Sequence, residues 1–260
     1  MQKHILTSID RTNYTQSDYR AIVGESLGLI YGYEFDGIYQ VDDFYTSAAT
    51  GKLILKPGIT NNTRYDGGAA PGVVKYKDQN GDGKITTADR TVIGNAMPKW
   101  FGGITNSFSF KGIDFSFMLQ YSYGNDVFNA TRQFATGSQD QRYNMLAEVA
   151  DRWSPTNASN KVPSTKGYVK GDVYSRFVED GSFLRLKNLT LGYTLPKKWT
   201  NKFHASRLRV YVTGQNLFCL NNYSGYDPEV NSLNNPMMPG LDWGAYPKSR
   251  VFTVGLDLQF

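Results

Sequence analysis

The chain ends in an uninterrupted alternation of apolar and mostly polar residues over positions 250–260. The apolar positions are Phe252, Val254, Leu256, Leu258 and Phe260. Because successive side chains of an extended strand point to opposite faces, this segment has one apolar face and one mostly polar face. Fully burying each such side chain is worth roughly 1.5–3 kcal/mol, so five of them require an apolar environment. A transmembrane β-barrel wall provides one, because its strands of about ten residues face lipid outward and a wet lumen inward.

The same alternation predicts further strands upstream. Alternating runs cover 104–110, 113–123, 189–195 and 208–213. Lys111 and Gly112 separate the first two runs and predict a tight hairpin turn. The segment 27–40 is aromatic and glycine-rich and also predicts a strand. Together these segments indicate an all-β, antiparallel fold.

The connections between the predicted strands alternate in length. Short links lie at 111–112 and 196–206, and long links rich in Asn, Asp, Gly and Pro lie at 41–99, 125–181 and 218–249. Outer-membrane barrels have short periplasmic turns and long extracellular loops, so we expect the three long links on one side. Within the second long link, the spacing of apolar residues predicts a helix over 143–153.

Composition excludes several classes of protein. No apolar run in the 260 residues approaches the ~18 residues of a membrane-spanning helix. The net charge of +5 comes from Lys and Arg scattered among acids, which predicts no nucleic-acid interface. The single cysteine, Cys219, cannot form an internal disulfide. The segment 1–10 lacks the apolar stretch and cleavage site of a secretory signal, so we expect the chain to be a fragment.

The sharpest local motif is the segment 78–89, which has the spacing of a twelve-residue EF-hand calcium loop. The predicted ligands are the side chains of Asp78, Asn80, Asp82 and Asp89, the backbone carbonyl of Lys84, and Thr86 directly or through water. Gly83 supplies the required glycine, and Ile85 should anchor the loop inward.

This loop departs from the EF-hand pattern at its last position. Asp89 stands where a glutamate is usual, which shortens the reach and makes the loop more like those of dockerin modules. We predict a structural Ca²⁺ that pins a long extracellular loop. The alternative is an Asp/Asn/Gly turn without metal.

No catalytic constellation emerges from the sequence. Gly24, Ser26 and Gly28 match the G-x-S-x-G pattern of hydrolase nucleophiles, which requires a strand–turn–helix context. The flanking residues instead predict strands, and only His204 lies downstream as a candidate base. His4 and His204 are too few for a catalytic metal site of the usual kind. We therefore predict that the chain is not an enzyme, with a Ser26 hydrolase as a testable alternative.

Aromatic residues gather in the last long link. They are Tyr223, Tyr226, Trp243 and Tyr246. Such rings can form a girdle at the membrane interface, or they can stack on sugar faces or close over a cargo.

Six stretches of the sequence make the chain similar to the C-terminal part of SusC/RagA-family TonB-dependent transporters. These stretches are 24–40, 71–120, 181–196, 208–218, 223–230 and 246–260. The resemblance implies that 1–260 forms about seven strands of a 22-stranded outer-membrane barrel, without the plug domain. It also implies an edge strand near 27–40 that lacks a neighbour.

The resemblance further implies a function and a set of partners. The chain is expected to form wall and extracellular loops of an importer of oligosaccharides or peptides, embedded in outer-membrane lipid. A SusD-like surface lipoprotein and, through a missing N-terminal region, the TonB complex are the implied protein partners. The rival hypothesis is a secreted or surface carbohydrate-binding β-module stabilised by calcium.

Overall fold

The computed structural model describes residues 14–16, 19–137 and 143–260. The strands in these ranges are β1 (Tyr14–Gln16), β2 (Tyr19–Ala21), β3 (Leu29–Gly32), β4 (Phe35–Ile38), β5 (Phe44–Thr46), β6 (Leu53–Leu55), β7 (Val74–Tyr76), β8 (Thr91–Asn95), β9 (Trp100–Phe110), β10 (Ile113–Tyr123), β11 (Asp126–Asn129), β12 (Val178–Asp180), β13 (Phe183–Thr194), β14 (Arg207–Asn221), β15 (Leu241–Asp242) and β16 (Val251–Gln259). His4 and the segment 1–10, which entered the sequence predictions, lie outside the described residues.

Helical structure is sparse. The α-helices are α1 (Ala130–Gly137) and α2 (Lys197–Thr200), and short 3-10 helices cover Val41–Asp43, Thr87–Asp89, Ala147–Asp151, Ser175–Phe177 and Asn201–Phe203. Within the described ranges, no helix is long and apolar enough to cross a membrane.

The chain divides into two compact units. One, the loop unit, comprises Met1–Met97, Asp126–Glu179 and Val230–Gly244. The other, the sheet unit, comprises Pro98–Asn125, Asp180–Glu229 and Ala245–Phe260.

The sheet unit is built on one antiparallel sheet of five long strands in the order β16-β14-β13-β10-β9. Lys111 and Gly112 connect β9 to β10 with φ angles of 48° and 85°. Two successive positive φ values match the right-handed twist of a hairpin, which is why glycine is favoured there. The predicted hairpin and the alternating strands at 113–123, 189–195, 208–213 and 250–260 are confirmed.

The prediction of a single wall strand over 27–40, unpaired at an edge, is wrong. The segment forms β3 and β4 in the loop unit, where β3 pairs with β2 and β8, and β4 pairs with β7. Ile30, Tyr33 and Tyr39 are all buried, so buried apolar side chains occur at both even- and odd-numbered positions. That pattern is typical of a strand buried on both faces and not of one with a wet face.

The core of the loop unit is a stack of aromatic rings. Tyr33 lies parallel to Tyr76 with centroids 4.8 Å apart, and Tyr174 packs 5.4 Å from Tyr76 and 5.0 Å from Phe177. Leu241 from the last long link belongs to the same buried cluster. All three predicted long links therefore contribute side chains to one core. This shared core explains why the links adopt a defined structure although their composition is polar.

The predicted helix over 143–153 is reduced to the 3-10 helix Ala147–Asp151, and the α-helix of this link lies earlier, at α1. Tertiary contacts override local propensity here. The Trp153 amide donates to the Val162 carbonyl at 2.9 Å, and its indole donates to Gln40 at 2.9 Å. Arg132 of α1 holds Glu148 with two hydrogen bonds, which keep the pKa of that carboxyl below its ordinary value despite partial burial.

Candidate functional site

One face of the five-stranded sheet is apolar across every strand. Directly paired residues share a face, so the register defines rows that run across the sheet. Two adjacent rows are Leu256–Val210–Tyr193–Ile113–Phe110 and Val254–Val212–Leu191–Phe115–Phe108. Phe252, Val254 and Phe110 expose 70%, 75% and 70% of their surface. An exposed apolar area of this extent marks a surface that contacts something other than water.

The opposite face of the same sheet is polar. One row there is Thr253–Thr213–Thr190–Ser116–Ser107, and the hydroxyls of Thr190 and Thr213 are hydrogen-bonded at 2.9 Å. The next row contains Asp114, which accepts two hydrogen bonds from the guanidinium of Arg209 at 2.9 and 2.5 Å. The sheet therefore separates apolar from polar side chains completely in these rows, as the alternation in the sequence predicts.

Two glycines make room for larger side chains on the polar face of the sheet. The Tyr211 ring lies over Gly255, where an added Cβ would collide with the ring Cζ. The guanidinium of Arg209 lies 4.8 Å from the centroid of the Tyr211 ring. Gly192 lies beneath the ion pair, with an added Cβ 2.5 Å from the Asp114 carboxylate. These glycines are required by close approach and not by backbone conformation.

We expect Gly255→Val to destabilise the protein by about 1–3 kcal/mol, because the Tyr211 ring must leave its position. The measurement is the midpoint of urea unfolding in detergent. Thr253→Val on the same face is the matched control and should cost little. Combining Gly255→Val with Tyr211→Ala should recover most of the loss, and an equal loss in the double variant would contradict this packing.

A buried ion pair at the other end of the sheet was not predicted. Arg185 of β13 and Asp227 are 3% and 5% exposed, and Nη2 of Arg185 lies 2.6 Å from Oδ1 of Asp227. Glu229 lies 3.8 Å from Nε of the same guanidinium and also contacts the ammonium of Lys248. The pair ties the loop after β14 to the neighbouring strand. Its sequence signal is that Arg185 and Asp227 fall in two of the stretches that carry the family resemblance, 181–196 and 223–230.

The predicted calcium loop forms a closed turn in the loop unit. Both carboxylate oxygens of Asp78 accept backbone hydrogen bonds, from Gly81 and Gly83 at 2.7 Å each. Asn80 accepts from the amide of Asp82 at 2.9 Å, and Asp82 accepts from the amide of Lys84 at 2.8 Å. Slight desolvation opposes ionisation of Asp78, but these backbone amides outweigh it and lower its pKa. The structure thus places Asp78, Asn80 and Asp82 together on one turn, with Asn80 and Asp82 exposed.

The second half of the loop is buried. Ile85 is fully buried, and its amide donates to the Asn61 carbonyl at 2.8 Å, so the predicted inward anchor is confirmed. Asp89 is also fully buried, and it accepts from the amides of Gln79 at 3.0 Å and Thr86 at 2.8 Å. In the part of the chain that the structure describes, no three His, Cys, Asp or Glu side chains are grouped to hold a metal. In this conformation Asp89 therefore connects the two ends of the loop through hydrogen bonds.

The hydrolase-like motif has a structural explanation. Oγ of Ser26 accepts a hydrogen bond from the side-chain amide of Asn95 at 2.7 Å. Gly24 has a φ of 90°, and an added Cβ on Gly28 would lie 2.7 Å from Pro239. His204 follows the 3-10 helix Asn201–Phe203 in the sheet unit. The pattern thus reflects a turn and a close contact.

The four aromatic residues of the last long link are divided between the two units. Tyr223 is buried with its ring close to Gly225, so this ring contributes neither to a girdle at the membrane interface nor to contact with a cargo. Trp243 packs edge-to-face on Phe134 in the loop unit. Tyr226 and Tyr246 are 80% and 90% exposed in the sheet unit.

Two curated relatives of this chain are both TonB-dependent receptors. No protein-family model matches the chain. TonB-dependent receptor P3 of Formosa agariphila is 37% identical over 243 residues, which cover 91% of this chain and 22% of that protein. TonB-dependent receptor SusC of Bacteroides thetaiotaomicron is 33% identical over 198 residues, covering 75% of this chain and 18% of that protein.

A solved structure shares the fold. The RagAB peptide importer in its closed-closed state aligns with a TM-score of 0.68 at 23% identity, covering 97% of this chain and 25% of that chain. The chain therefore spans about a quarter of the length of the relatives it matches.

Proposed function

Because this chain belongs to the SusC/RagA family of TonB-dependent receptors, we propose that its sheet unit forms wall of a transmembrane β-barrel and its loop unit forms extracellular loops. TonB-dependent receptors are outer-membrane transporters and not enzymes, which excludes the Ser26 hydrolase. The observation that carries the proposal is the exposed apolar face backed by a polar one.

The dimensions of the sheet support a membrane-spanning wall. Strands β9 and β10 have 11 residues each, which at about 3.4 Å per residue gives a length of about 35 Å. Tilted by about 45°, such strands cover about 25 Å along the membrane normal, the height of the apolar band of outer-membrane barrels. The sheet would therefore present its apolar rows to lipid and its Asp114–Arg209 pair to the lumen.

The edges of the sheet support closure with further strands. Strand β9 lies at one edge and β16 at the other, and each has one side without a partner among the five. Backbone groups left unpaired in hydrocarbon cost several kcal/mol each, so a membrane sheet must close on itself. We propose that these five strands, where about seven were expected, belong to a 22-stranded barrel whose neighbouring strands come from the rest of the receptor.

A chain that forms part of such a barrel takes part in the import that the whole receptor performs. We propose that the receptor carries an oligosaccharide or peptide across the outer membrane, coupled to TonB through a region outside this chain. RagAB is a peptide importer. A SusD-like lipoprotein is the proposed partner on the side of the loop unit. The exposed apolar rows argue against the secreted carbohydrate-binding module, because a soluble module would bury them.

Import is tested by measuring uptake in cells with and without the gene for the receptor. Deleting the gene should abolish uptake of the oligosaccharide or peptide that the receptor imports. A copy with Val254→Lys should restore less of this uptake than the unchanged gene, because a lysine facing lipid destabilises the inserted wall. Restoration equal to that by the unchanged gene would contradict a lipid-facing role for this strand. Thr253→Lys, on the lumen face, is the matched control and should restore uptake.

We also propose that the loop 78–89 binds Ca²⁺ as a structural ion. Its donors are oxygen atoms, the ligands that this hard cation prefers, and Asp78 and Asp82 would supply charge. The buried Ile85 and Asp89 would hold the turn in shape. The ion would rigidify the loop, with no part in chemistry.

Isothermal titration of the receptor with Ca²⁺ should show a binding heat that Asp82→Ala removes. Asp66→Ala, which removes an exposed acid from a neighbouring loop, is the control and should leave the heat unchanged. Absence of heat above buffer at millimolar Ca²⁺ would rule the ion out.

A further inference from the structure

The loop unit contains a cavity of about 690 Å³ between α1, the segment 168–173 and the residues around β15. Cavities of roughly 300–1,000 Å³ with mostly apolar walls are typical of small-molecule sites. This one includes Phe128, Phe134, Val169, Val173, Leu241 and Trp243 in its lining. Its size and its walls therefore match a ligand site, and none of the sequence motifs accounts for it.

Three aromatic rings form one wall of the cavity. Phe134 of α1 packs edge-to-face on Tyr143 and on Trp243, with centroids 5.2 and 5.7 Å away and interplanar angles of 72° and 77°. Tyr143 and Trp243 remain 50% and 54% exposed. The Trp243 amide donates to Oγ of Ser232 at 2.8 Å, which fixes the backbone that carries this ring. The rings are thus positioned by packing and are still accessible to a ligand.

The polar groups of the lining are few. Lys170 is its single charged residue, and within the described residues no ion pair forms on Lys170. The amide of Gln133 is already engaged, because it donates to the Asp172 carbonyl at 2.6 Å. A ligand that suits this lining is apolar with one negative charge. A sugar is a poor match, because its hydroxyls would find few side-chain partners and cost free energy on burial.

We propose that this cavity binds the carboxy-terminal residue of a short peptide. The aromatic or branched side chain of that residue enters among the three rings, and its terminal carboxylate pairs with the ammonium of Lys170. The inference rests on the proposed role of the loop unit in an importer and narrows the cargo to peptides with a free carboxyl end.

The test is isothermal titration of the purified receptor with four probes. These are Gly-Gly-Phe as the free acid, the same tripeptide as its amide, free phenylalanine, and maltotriose. The free acid should bind about two- to fivefold more tightly than the amide, as expected for one exposed charge contact. Equal affinity of acid and amide, or tighter binding of maltotriose, would each overturn the inference, and equal binding of free phenylalanine would overturn its restriction to peptides.

Substitutions test whether the preference for the free acid arises in the cavity. Lys170→Gln should remove the preference for the acid. Lys166→Gln, which changes an exposed lysine shortly before this segment and outside the lining, should retain it. Phe134→Ala should weaken both acid and amide. Unchanged preference in Lys170→Gln contradicts the inference even if Phe134→Ala fails to fold. Because these titrations need no transport, a receptor that spans the membrane but ignores all peptides refutes this inference alone.

Discussion

Asp227→Asn is expected to lower the free energy of unfolding of the receptor by about 3 kcal/mol, since removing one partner of a buried ion pair typically costs about 3–5 kcal/mol. The replacement keeps the shape and the acceptor that binds the amide of Glu229 at 2.9 Å. It leaves the guanidinium of Arg185 buried without its nearest carboxylate. Glu229, 3.8 Å away, compensates in part, so we expect a loss near the lower end of this range.

Urea unfolding of the detergent-solubilised receptor, followed by tryptophan fluorescence, measures this loss. Glu34→Gln is the control, because it breaks an exposed pair with Lys77 and should change stability by less than about 1 kcal/mol. Arg185→Met combined with Asp227→Leu removes both charges and should recover much of the stability. A loss in Asp227→Asn no larger than in the control would show that the pair is not buried in the receptor.

Val254→Lys is expected to destabilise the membrane-embedded receptor by about 2–4 kcal/mol, the cost of a lysine facing lipid near the bilayer midplane. Val254 lies in an apolar row with Val212 and Leu191, away from both ends of the strand. Thr253→Lys places the same charge one residue earlier on the polar face, where water can solvate it, and should cost far less.

The two lysine variants are compared by unfolding in lipid vesicles and by the amount of receptor recovered from outer membranes. The difference between them reports the environment of the two faces, because strand, neighbours and introduced side chain are otherwise matched. Equal stability of the two variants would mean that both faces contact water.

Sequence reasoning succeeded where the relevant physics is local. The period of two along β16 follows from strand geometry, and the Lys111–Gly112 turn follows from backbone sterics. The inward anchor at Ile85 follows from the spacing of a loop motif. Each of these features needs only neighbouring residues, so a single sequence contains the necessary information.

Sequence reasoning failed where distant segments meet. Arg185 and Asp227 are 42 positions apart, and nothing local marks either as buried. The segment 27–40 contains aromatic residues suited to a wall strand, yet its rings pack on Tyr76 and Tyr174 from other links. The cavity beside Phe134 depends on Trp243, more than a hundred residues later in the chain. Such sites require the tertiary arrangement.

In a barrel wall, the even-numbered side chains of β16 face lipid, and their surroundings can be measured directly. In a Cys219→Ala background, spin labels are attached one at a time to Phe252→Cys, Val254→Cys and Leu256→Cys, and to Thr253→Cys and Asp257→Cys. Electron paramagnetic resonance in bilayers then compares collisions with oxygen, which concentrates in lipid, and with a water-soluble nickel complex. We expect oxygen-dominated collisions at the three even positions and nickel-dominated collisions at the two odd ones. Nickel access equal at all five positions would contradict this expectation.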